Sequence, residues 1–178
     1  MPFAVEMFLD ETTADVVRQT WQAVADADVA QYLNTSNARP HVTLAVAQNV
    51  DVPACDRLLA ELAATTPIRS VTFSSLGVFP SESAVVFLAP VVTADLLAFH
   101  AAFHRRFADL AGEPWAYYLP GCWVPHCTLA QDFAVANVPR AVEACRQIRL
   151  PLSGCFVEIA LVEFRPVRHV VSHRFALT

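Results

Sequence analysis

Two octapeptides of nearly the same sequence, RPHVTLAV (39–46) and VPHCTLAQ (124–131), carry the residues best suited to chemistry. Each contains proline, histidine, one further residue, threonine, leucine and alanine in that order, and the histidines, His41 and His126, lie 85 positions apart. A single His-x-Thr pair in an apolar strand is more often a buried structural pair. Its presence twice, at one offset, favours a paired site.

Side chains alternate between the two faces of a strand, so each octapeptide predicts one polar and one apolar face. The polar face is expected to carry His41, Thr43 and Ala45 in the first copy, and His126, Thr128 and Ala130 in the second. The buried face is expected to carry Val42, Leu44 and Val46, and likewise Cys127 and Leu129. Each copy is therefore predicted to bury one face and to present histidine and threonine on the other.

If the two polar faces meet across a cleft, the site holds two imidazoles and two hydroxyls, with no carboxylate and no evident metal cage. One neutral imidazole can remove a proton from the attacking water or hydroxyl, while a protonated one supplies a proton to the leaving oxygen. The hydroxyls of Thr43 and Thr128 can donate to phosphoryl oxygens, where charge builds up. This set suits in-line displacement at phosphorus.

The duplication extends beyond the octapeptides. Three more segment pairs follow in the same order at offsets close to 85: 4–17 with 84–97, 52–62 with 138–148, and 71–79 with 156–164. We therefore expect one domain over 1–178, built from pseudo-repeats at about 1–83 and 84–178.

Alternating periodicities predict the elements of each repeat. Strands are expected near 3–9, 41–47, 70–78, 84–89, 126–131, 155–164 and 169–177, and helices near 13–27, 53–64, 94–111 and 138–147. Thr12 or Thr13 is the expected N-cap of the first helix, and Gly112 the expected left-handed cap after the third. The predicted class is α+β: a bilobal duplicated fold of two small, mainly antiparallel sheets flanked by helices, with a central cleft.

Composition sets further limits on the class of protein. Hydrophobic residues make up 55% and charged residues 16%, which argues against disorder. The N-terminus lacks the basic start of a signal peptide and no apolar run reaches membrane-spanning length, so a cytoplasmic protein without membrane association is expected. A net charge of −5 argues against coating of long nucleic acids. The five scattered cysteines favour reduced thiols.

Metal-based alternatives have weak support in the sequence. His100 and His104 have the i, i+4 spacing of a zinc-binding helix, but HAAFH lacks the glutamate of a metalloprotease motif and no third ligand is evident. Cys122, His126 and Cys127 would diverge, because adjacent strand residues point to opposite faces. No metal and no cofactor are predicted, and no obligate protein partner is evident.

The chain resembles the two-histidine (2H) phosphoesterase superfamily, close to its bacterial 2′-5′ RNA ligase/cyclic phosphodiesterase branch. That family's hallmark is a pair of His-Φ-Thr/Ser-Φ motifs (Φ apolar) in a bilobal fold, matched here by His41-Val42-Thr43-Leu44 and His126-Cys127-Thr128-Leu129. The segments LLAFHAAF and FVEIALVEF are also similar.

The resemblance implies a metal-independent enzyme that opens 2′,3′-cyclic phosphates, on RNA termini or small nucleotides, to 2′-phosphates, and it allows 2′-5′ RNA ligation by the same groups. By analogy His126 is the general base and His41 the general acid, although the pseudo-symmetry leaves the reverse open. The alternative is a catalytically silent RNA- or nucleotide-binding module that uses the same cleft.

Differences between the copies suggest substrate contacts. Arg39 precedes His41 by two residues where the second copy has Val124; it is expected to reach the phosphate, with a salt bridge as the alternative. Tyr118 and Trp123, just upstream of the second motif, are candidates for stacking a base, with core packing as the alternative. Phe79, at a strand end, is expected at the cleft rim. The basic tail around Arg165 is either a nucleotide-binding rim or a solvated hairpin.

Overall fold

The computed structural model describes residues 2–66 and 69–176, which form eight strands and five α-helices. The strands are β1 (Phe3–Leu9), β2 (His41–Val50), β3 (Arg69–Phe79), β4 (Ser83–Pro90), β5 (Ala111–Pro114), β6 (Cys127–Ala134), β7 (Leu152–Glu163) and β8 (Arg168–Arg174). The helices are α1 (Glu11–Asp26), α2 (Tyr32–Thr35), α3 (Val52–Thr65), α4 (Ala94–Phe107) and α5 (Val138–Cys145). All four helices expected from periodicity are present, and β5 and α2 are additional.

The eight strands form one antiparallel sheet in the order β5-β2-β1-β7-β3-β4-β6, with β8 also paired to β7. The predicted α+β class with antiparallel pairing is confirmed. The two small sheets that were expected are joined through β7. Residues 152–156 of this long strand pair with β3, and residues 158–163 pair with β8.

The strands of the two sequence repeats are exchanged between the two halves of the sheet. In one half β1 lies between β2 and β7, and in the other β4 lies between β6 and β3. Each repeat thus places its histidine strand in one half and its last strand in the other. The β3–β7 register is symmetric at the offset of 85: the pair Val71–Gly154 maps onto Arg69–Phe156, and Ser70–Cys155 maps onto itself. A local two-fold axis therefore passes by Ser70 and Cys155.

Helices cover one face of the sheet and leave the other face for the cleft. The stripe Val17, Trp21 and Val24 of α1 is buried in the main core, as its helical spacing predicts. In β1 alternate residues follow the same division: Val5, Met7 and Leu9 join this core, while Ala4 and Glu6 face the cleft. None of the helices within the described ranges is long and apolar enough to cross a membrane.

Two predicted helix caps are wrong. Helix α1 begins earlier than expected because Asp10, not Thr12 or Thr13, is the N-cap, and its Oδ1 accepts the Thr13 N–H at 3.0 Å. The third predicted helix, α4, ends at Phe107, with Ala108 as its C-cap. Gly112 lies four residues further on, inside β5, where it pairs with Asn49 as part of a ladder rather than ending a helix.

Candidate active site

Each histidine strand contains one extra residue directly after its threonine. In β2, Thr43 pairs with Glu6 and Ala45 pairs with Val5, so Leu44 has no partner in the ladder. In β6 the same shift leaves Leu129 between Thr128 and Ala130. The two irregularities occupy equivalent places in the His-x-Thr-Leu motifs, and such bulges re-aim the side chains that follow them.

The extra residue reverses the alternation of side chains, which corrects part of the prediction. Ala45 was expected beside His41 and Thr43, but it is buried in the core, and Val46 lines the cleft instead. Ala130 is likewise in the core rather than on the polar face. The motif histidines and threonines precede the shift, so their shared face agrees with the strand period.

At the register shifts of β2 and β6, an indole N–H donates a hydrogen bond to a backbone carbonyl. The Nε1 of Trp123 donates to the Thr43 carbonyl at 2.9 Å, and the Nε1 of Trp21 donates to the Thr128 carbonyl, also at 2.9 Å. A carbonyl oxygen that a bulge removes from the ladder needs another donor, because a buried unpaired acceptor is costly.

His100 and His104 support the same irregularity in β2. Both Nε2 atoms lie within hydrogen-bond distance of the Leu44 carbonyl, at 3.1 and 3.0 Å, and each must donate because a carbonyl only accepts. Burial lowers the pKa of His100 to about 4, with His104 adding to the effect, and burial also lowers the pKa of His104. The i, i+4 pair that resembled a zinc site thus binds a backbone oxygen. In the part of the chain that the structure describes, no cluster of three or more potential ligands could hold a metal ion.

The four motif side chains open into one cavity of about 620 Å³ on the uncovered face of the sheet. His41 and Thr43 reach the cavity from β2. Thr128 reaches it from the start of β6, and His126 from the residue just before that strand. The structure therefore brings together the two His-Thr pairs that lie 85 positions apart in the sequence.

A backbone carbonyl two residues upstream fixes the ring of each motif histidine. The Nδ1 of His41 lies 2.6 Å from the Arg39 carbonyl, and the Nδ1 of His126 lies 2.7 Å from the Val124 carbonyl. Because a carbonyl can only accept, each Nδ1 carries a hydrogen. Nε2 is therefore the atom that exchanges a proton in both rings, and in the neutral ring it has a free lone pair.

The surroundings of His126 are apolar. Its ring meets Phe79 edge-on at 5.1 Å between centroids and lies 5.2 Å from Phe87. Burial lowers the pKa of His126; the Val124 carbonyl opposes this effect and the nearby His41 adds to it. These surroundings favour the neutral form of the His126 imidazole.

The surroundings of His41 contain a carboxyl group that sequence reasoning missed. Glu6 Oε1 lies 3.4 Å from His41 Nε2, and Glu6 is only 7% exposed. Burial raises the pKa of Glu6, while His41, His169 and Arg39 partly offset the effect. The available signal was a single acidic residue at a cleft-facing position of the apolar segment AVEMFL.

The counterpart of Glu6 in the other half is an aromatic residue. Glu6 pairs with Thr43 in the β1–β2 ladder, and Phe87 pairs with Thr128 in the β4–β6 ladder. The two motifs have the same backbone support and the same ring tautomer, but one faces a carboxyl group and the other a phenyl ring.

The four residues predicted to bind substrate divide into two pairs. Phe79 and Tyr118 line the cavity. Arg39 and Trp123 are not among its lining residues. Both Arg39 Nη atoms bind Glu158, at 2.8 and 3.0 Å, and the guanidinium carbon lies 3.9 Å above the Phe8 ring centroid. The Trp123 ring is 8% exposed and stacks on His100 at 3.9 Å.

Further aromatic side chains complete the cavity wall. Trp115 and Tyr117 come from the aromatic segment before the second motif, and Tyr32 of α2 was missed in the sequence. Arg165 also lines the cavity, where its Nη2 binds both carboxylate oxygens of Asp132 at 2.9 and 3.0 Å. The cavity thus combines a polar floor with a largely aromatic wall.

Comparison with known proteins assigns the family. A family model described as the 2′-5′ RNA ligase superfamily matches residues 13–167, which include both motifs, and the chain belongs to this superfamily. The resemblance to two-histidine phosphoesterases is thereby confirmed, and the family indicates an enzyme of phosphoesterase or ligase type. A search of curated proteins gave no match.

Solved structures share the fold over nearly the whole chain. The protein TT0787 of Thermus thermophilus superposes with a TM-score of 0.67 at 19% identity, covering 98% of each chain. Escherichia coli LigT in its apo form gives 0.64 at 19% identity, covering 99% of this chain and 97% of LigT. LigT complexed with 3′-AMP gives 0.63 at 16% identity, covering 99% of each chain.

Proposed function

We propose that this chain is a metal-independent phosphodiesterase that opens 2′,3′-cyclic phosphates, on RNA termini or small nucleotides, to 2′-phosphates. One observation carries the proposal: two imidazoles with the same fixed tautomer and two threonines meet in one cavity. The 3′-AMP complex of LigT supports a nucleotide as the ligand. Since a 5′-hydroxyl can replace water as the nucleophile in the same displacement, with O3′ again leaving, 2′-5′ RNA ligation belongs to the same proposal.

The proposed reaction uses both histidines in one displacement. Nε2 of His126 removes a proton from water, and the water oxygen forms a bond to phosphorus as the bond from phosphorus to O3′ breaks. Nε2 of His41 protonates the departing O3′, which becomes a free hydroxyl and leaves the phosphate on O2′. The hydroxyls of Thr43 and Thr128 donate to the non-bridging oxygens, where charge increases in the transition state.

The cavity wall suits the nucleoside part of such a substrate. Phe79 and Tyr118 offer ring surfaces on which a base can stack, and Trp115 and Tyr117 extend that surface toward solvent. Trp123 acts from the core side of the motif strand through the Thr43 carbonyl, and Arg39 binds Glu158 and stacks over Phe8. We expect the first group to govern substrate affinity and the second to govern the stability of β2.

Turnover of 2′,3′-cyclic AMP in excess EDTA tests this proposal. His41→Ala and His126→Ala should each lower kcat by about 10²- to 10⁴-fold. His173→Ala is the matched control, because this histidine pairs with Asp56 at 2.7 Å and does not line the cavity. Analysis of the product should show a 2′-phosphate.

Three outcomes would overturn parts of the proposal. Loss of activity in EDTA would exclude the metal-independent reaction, and a 3′-phosphate product would exclude the proposed leaving group. Saturable binding of cyclic nucleotides and RNA ends without turnover would instead identify a silent binding module.

A further inference from the structure

We propose that Glu6 is a positioning residue that keeps one proton on the His41 side of the cavity, where the proposed reaction needs its acid. This inference rests on the proposed function. It starts from the 3.4 Å contact between Glu6 Oε1 and His41 Nε2. It goes beyond the paired motifs, which do not include Glu6.

The donor and acceptor atoms at this contact limit where a proton can lie. The Nδ1 hydrogen of His41 is already donated to the Arg39 carbonyl. A carboxylate and a neutral Nε2 are both acceptors, so they attract each other only when one proton lies between them. In the proposed state the pair holds one proton, either as imidazolium and carboxylate or as neutral imidazole and carboxylic acid. Both forms store a proton beside the position of the leaving oxygen.

The other charged and titratable groups around the pair do not provide this proton store. Arg39 is neutralised by Glu158, and His169 of β8 lies 3.2 Å from the Asn37 carbonyl through its Nε2. Burial, together with the charge of Glu6, raises the pKa of Tyr118, which stays neutral in the working range. Across the cavity stands His126. Within residues 2–66 and 69–176, Glu6 is the only carboxylate in contact with the His41 ring.

In the opposite half of the cavity, the aromatic surroundings of His126 disfavour a second shared proton. Phe87 occupies the ladder position equivalent to that of Glu6, and Phe79 covers another side of the His126 ring. Phenyl rings do not offset the loss of hydration of an imidazolium as a carboxylate does. Two motifs with identical ring tautomers thus differ in whether a carboxyl group lies beside the ring to share a proton with it.

Histidine ring NMR of the free protein tests the proton pair without any turnover. In the wild type at pH 7, His41 Nε2 and the Glu6 carboxyl, followed by ring ¹⁵N and side-chain ¹³C signals, should together carry one proton, with the signals assigned from His41→Gln and Glu6→Gln. Glu6→Gln removes the charge but keeps the shape, and should leave His41 Nε2 without a proton under the same conditions. The signals of the His126 ring should change much less.

Glu163→Gln is the matched control. Glu163 is also buried, at 8% exposure, but it pairs with Arg168 and does not line the cavity. This variant should leave the signals of the His41 and His126 rings in place. A wild-type pair that carries no proton, or a His41 Nε2 that keeps its proton in Glu6→Gln, would overturn the proton pair.

The pH dependence of kcat/KM for 2′,3′-cyclic AMP tests the assigned roles. In Glu6→Gln the alkaline limb, which reports the acid, should move to lower pH, with the acidic limb in place. Glu6→Asp, which keeps the charge, should restore much of the alkaline limb. An equal loss at every pH would indicate a merely structural role and overturn the assignment. If the NMR shift occurs in a protein without turnover, the proposed function fails while the proton pair stands.

Discussion

The indole of Trp123 donates a 2.9 Å hydrogen bond to the carbonyl of Thr43, a residue of the other sequence repeat. Trp21 of α1 makes the reciprocal bond to the Thr128 carbonyl. Each motif is thus braced by a side chain from the opposite repeat, at the point where its strand departs from regular pairing. The two bonds tie the geometry of one half of the cavity to the folding of the other.

Removing either of the two indole hydrogen bonds should destabilise the protein by a similar amount. We expect Trp123→Phe and Trp21→Phe each to lower the free energy of unfolding by about 1–3 kcal/mol, because each leaves a buried carbonyl without its donor. Urea denaturation measures the effect. Trp115→Phe, at an exposed position, is the control and should change little. Equal stability of all three variants would argue against the braces.

The histidines on the Leu44 carbonyl predict a pH-dependent stability. The folded state lowers the pKa of His100 to about 4, so between about pH 6.5 and 4 the unfolded chain binds more protons than the folded one. The stability of the folded state that depends on a neutral His100 is fully present above pH 6.5 and is lost as the pH falls toward 4. Its size is on the order of 3 kcal/mol at most.

Urea denaturation from pH 4.5 to 7.5 should show this loss in the wild type. His100→Gln keeps an amide donor but has no titratable ring, and it should flatten the pH dependence. His173→Gln, at a half-buried ion pair on the edge of β8, should leave most of it in place. Parallel curves for the wild type and His100→Gln would contradict the assignment.

Gly77 determines where the Phe87 ring lies beside His126. The two residues pair in the β3–β4 ladder, and a Cβ at position 77 would collide with the ring. Gly77→Ala should displace Phe87 and lower kcat/KM by about 10- to 10²-fold, since small displacements in a catalytic site have effects of this order. Gly112→Ala is the control, because its Cβ would meet Asn49 at an ordinary 3.5 Å. Full activity of Gly77→Ala would show that the ring position is unimportant.

The two motif threonines should contribute to the rate more than to stability. Thr43→Val and Thr128→Val replace each hydroxyl by a methyl group and should each lower kcat by about 10²- to 10³-fold, as expected for a lost donor to the developing charge. The half-buried Thr72, whose Oγ1 lies 3.2 Å from Ser153 Oγ, provides the control variant Thr72→Val. Steady-state kinetics on a cyclic nucleotide measures the effect, and a changed KM with an unchanged kcat would assign the hydroxyls to ground-state binding.

Much of this architecture follows from local pattern. The strand period places His41 with Thr43 and His126 with Thr128, because no irregularity separates the members of each pair. The shift at Leu44 was not predictable, since an extra residue becomes visible only when the partner strand is known. Ala45 was misplaced for this reason.

Long-range partners account for the other differences between prediction and structure. The side chain of Arg39 is directed by Glu158 of β7, and that of Trp123 by the Thr43 carbonyl, both about 80 or more residues away in the chain. Glu6 escaped notice because a lone acidic residue in an apolar strand gives no spacing signal. Its role emerges only when the β1–β2 register brings it beside Thr43 and His41.

The exchange of β3 and β7 between the two halves of the sheet has a consequence for ancestry. A chain with only one repeat would lack the strand that flanks its own first strand, and could complete its sheet only by trading strands with a second copy. In such a homodimer the two halves of the cavity would be identical by symmetry. Joining the copies in one chain removes that constraint, so that Glu6 can arise in one half and Phe87 in the other. A single chain that carries both repeats thereby allows its two motif histidines to have different surroundings.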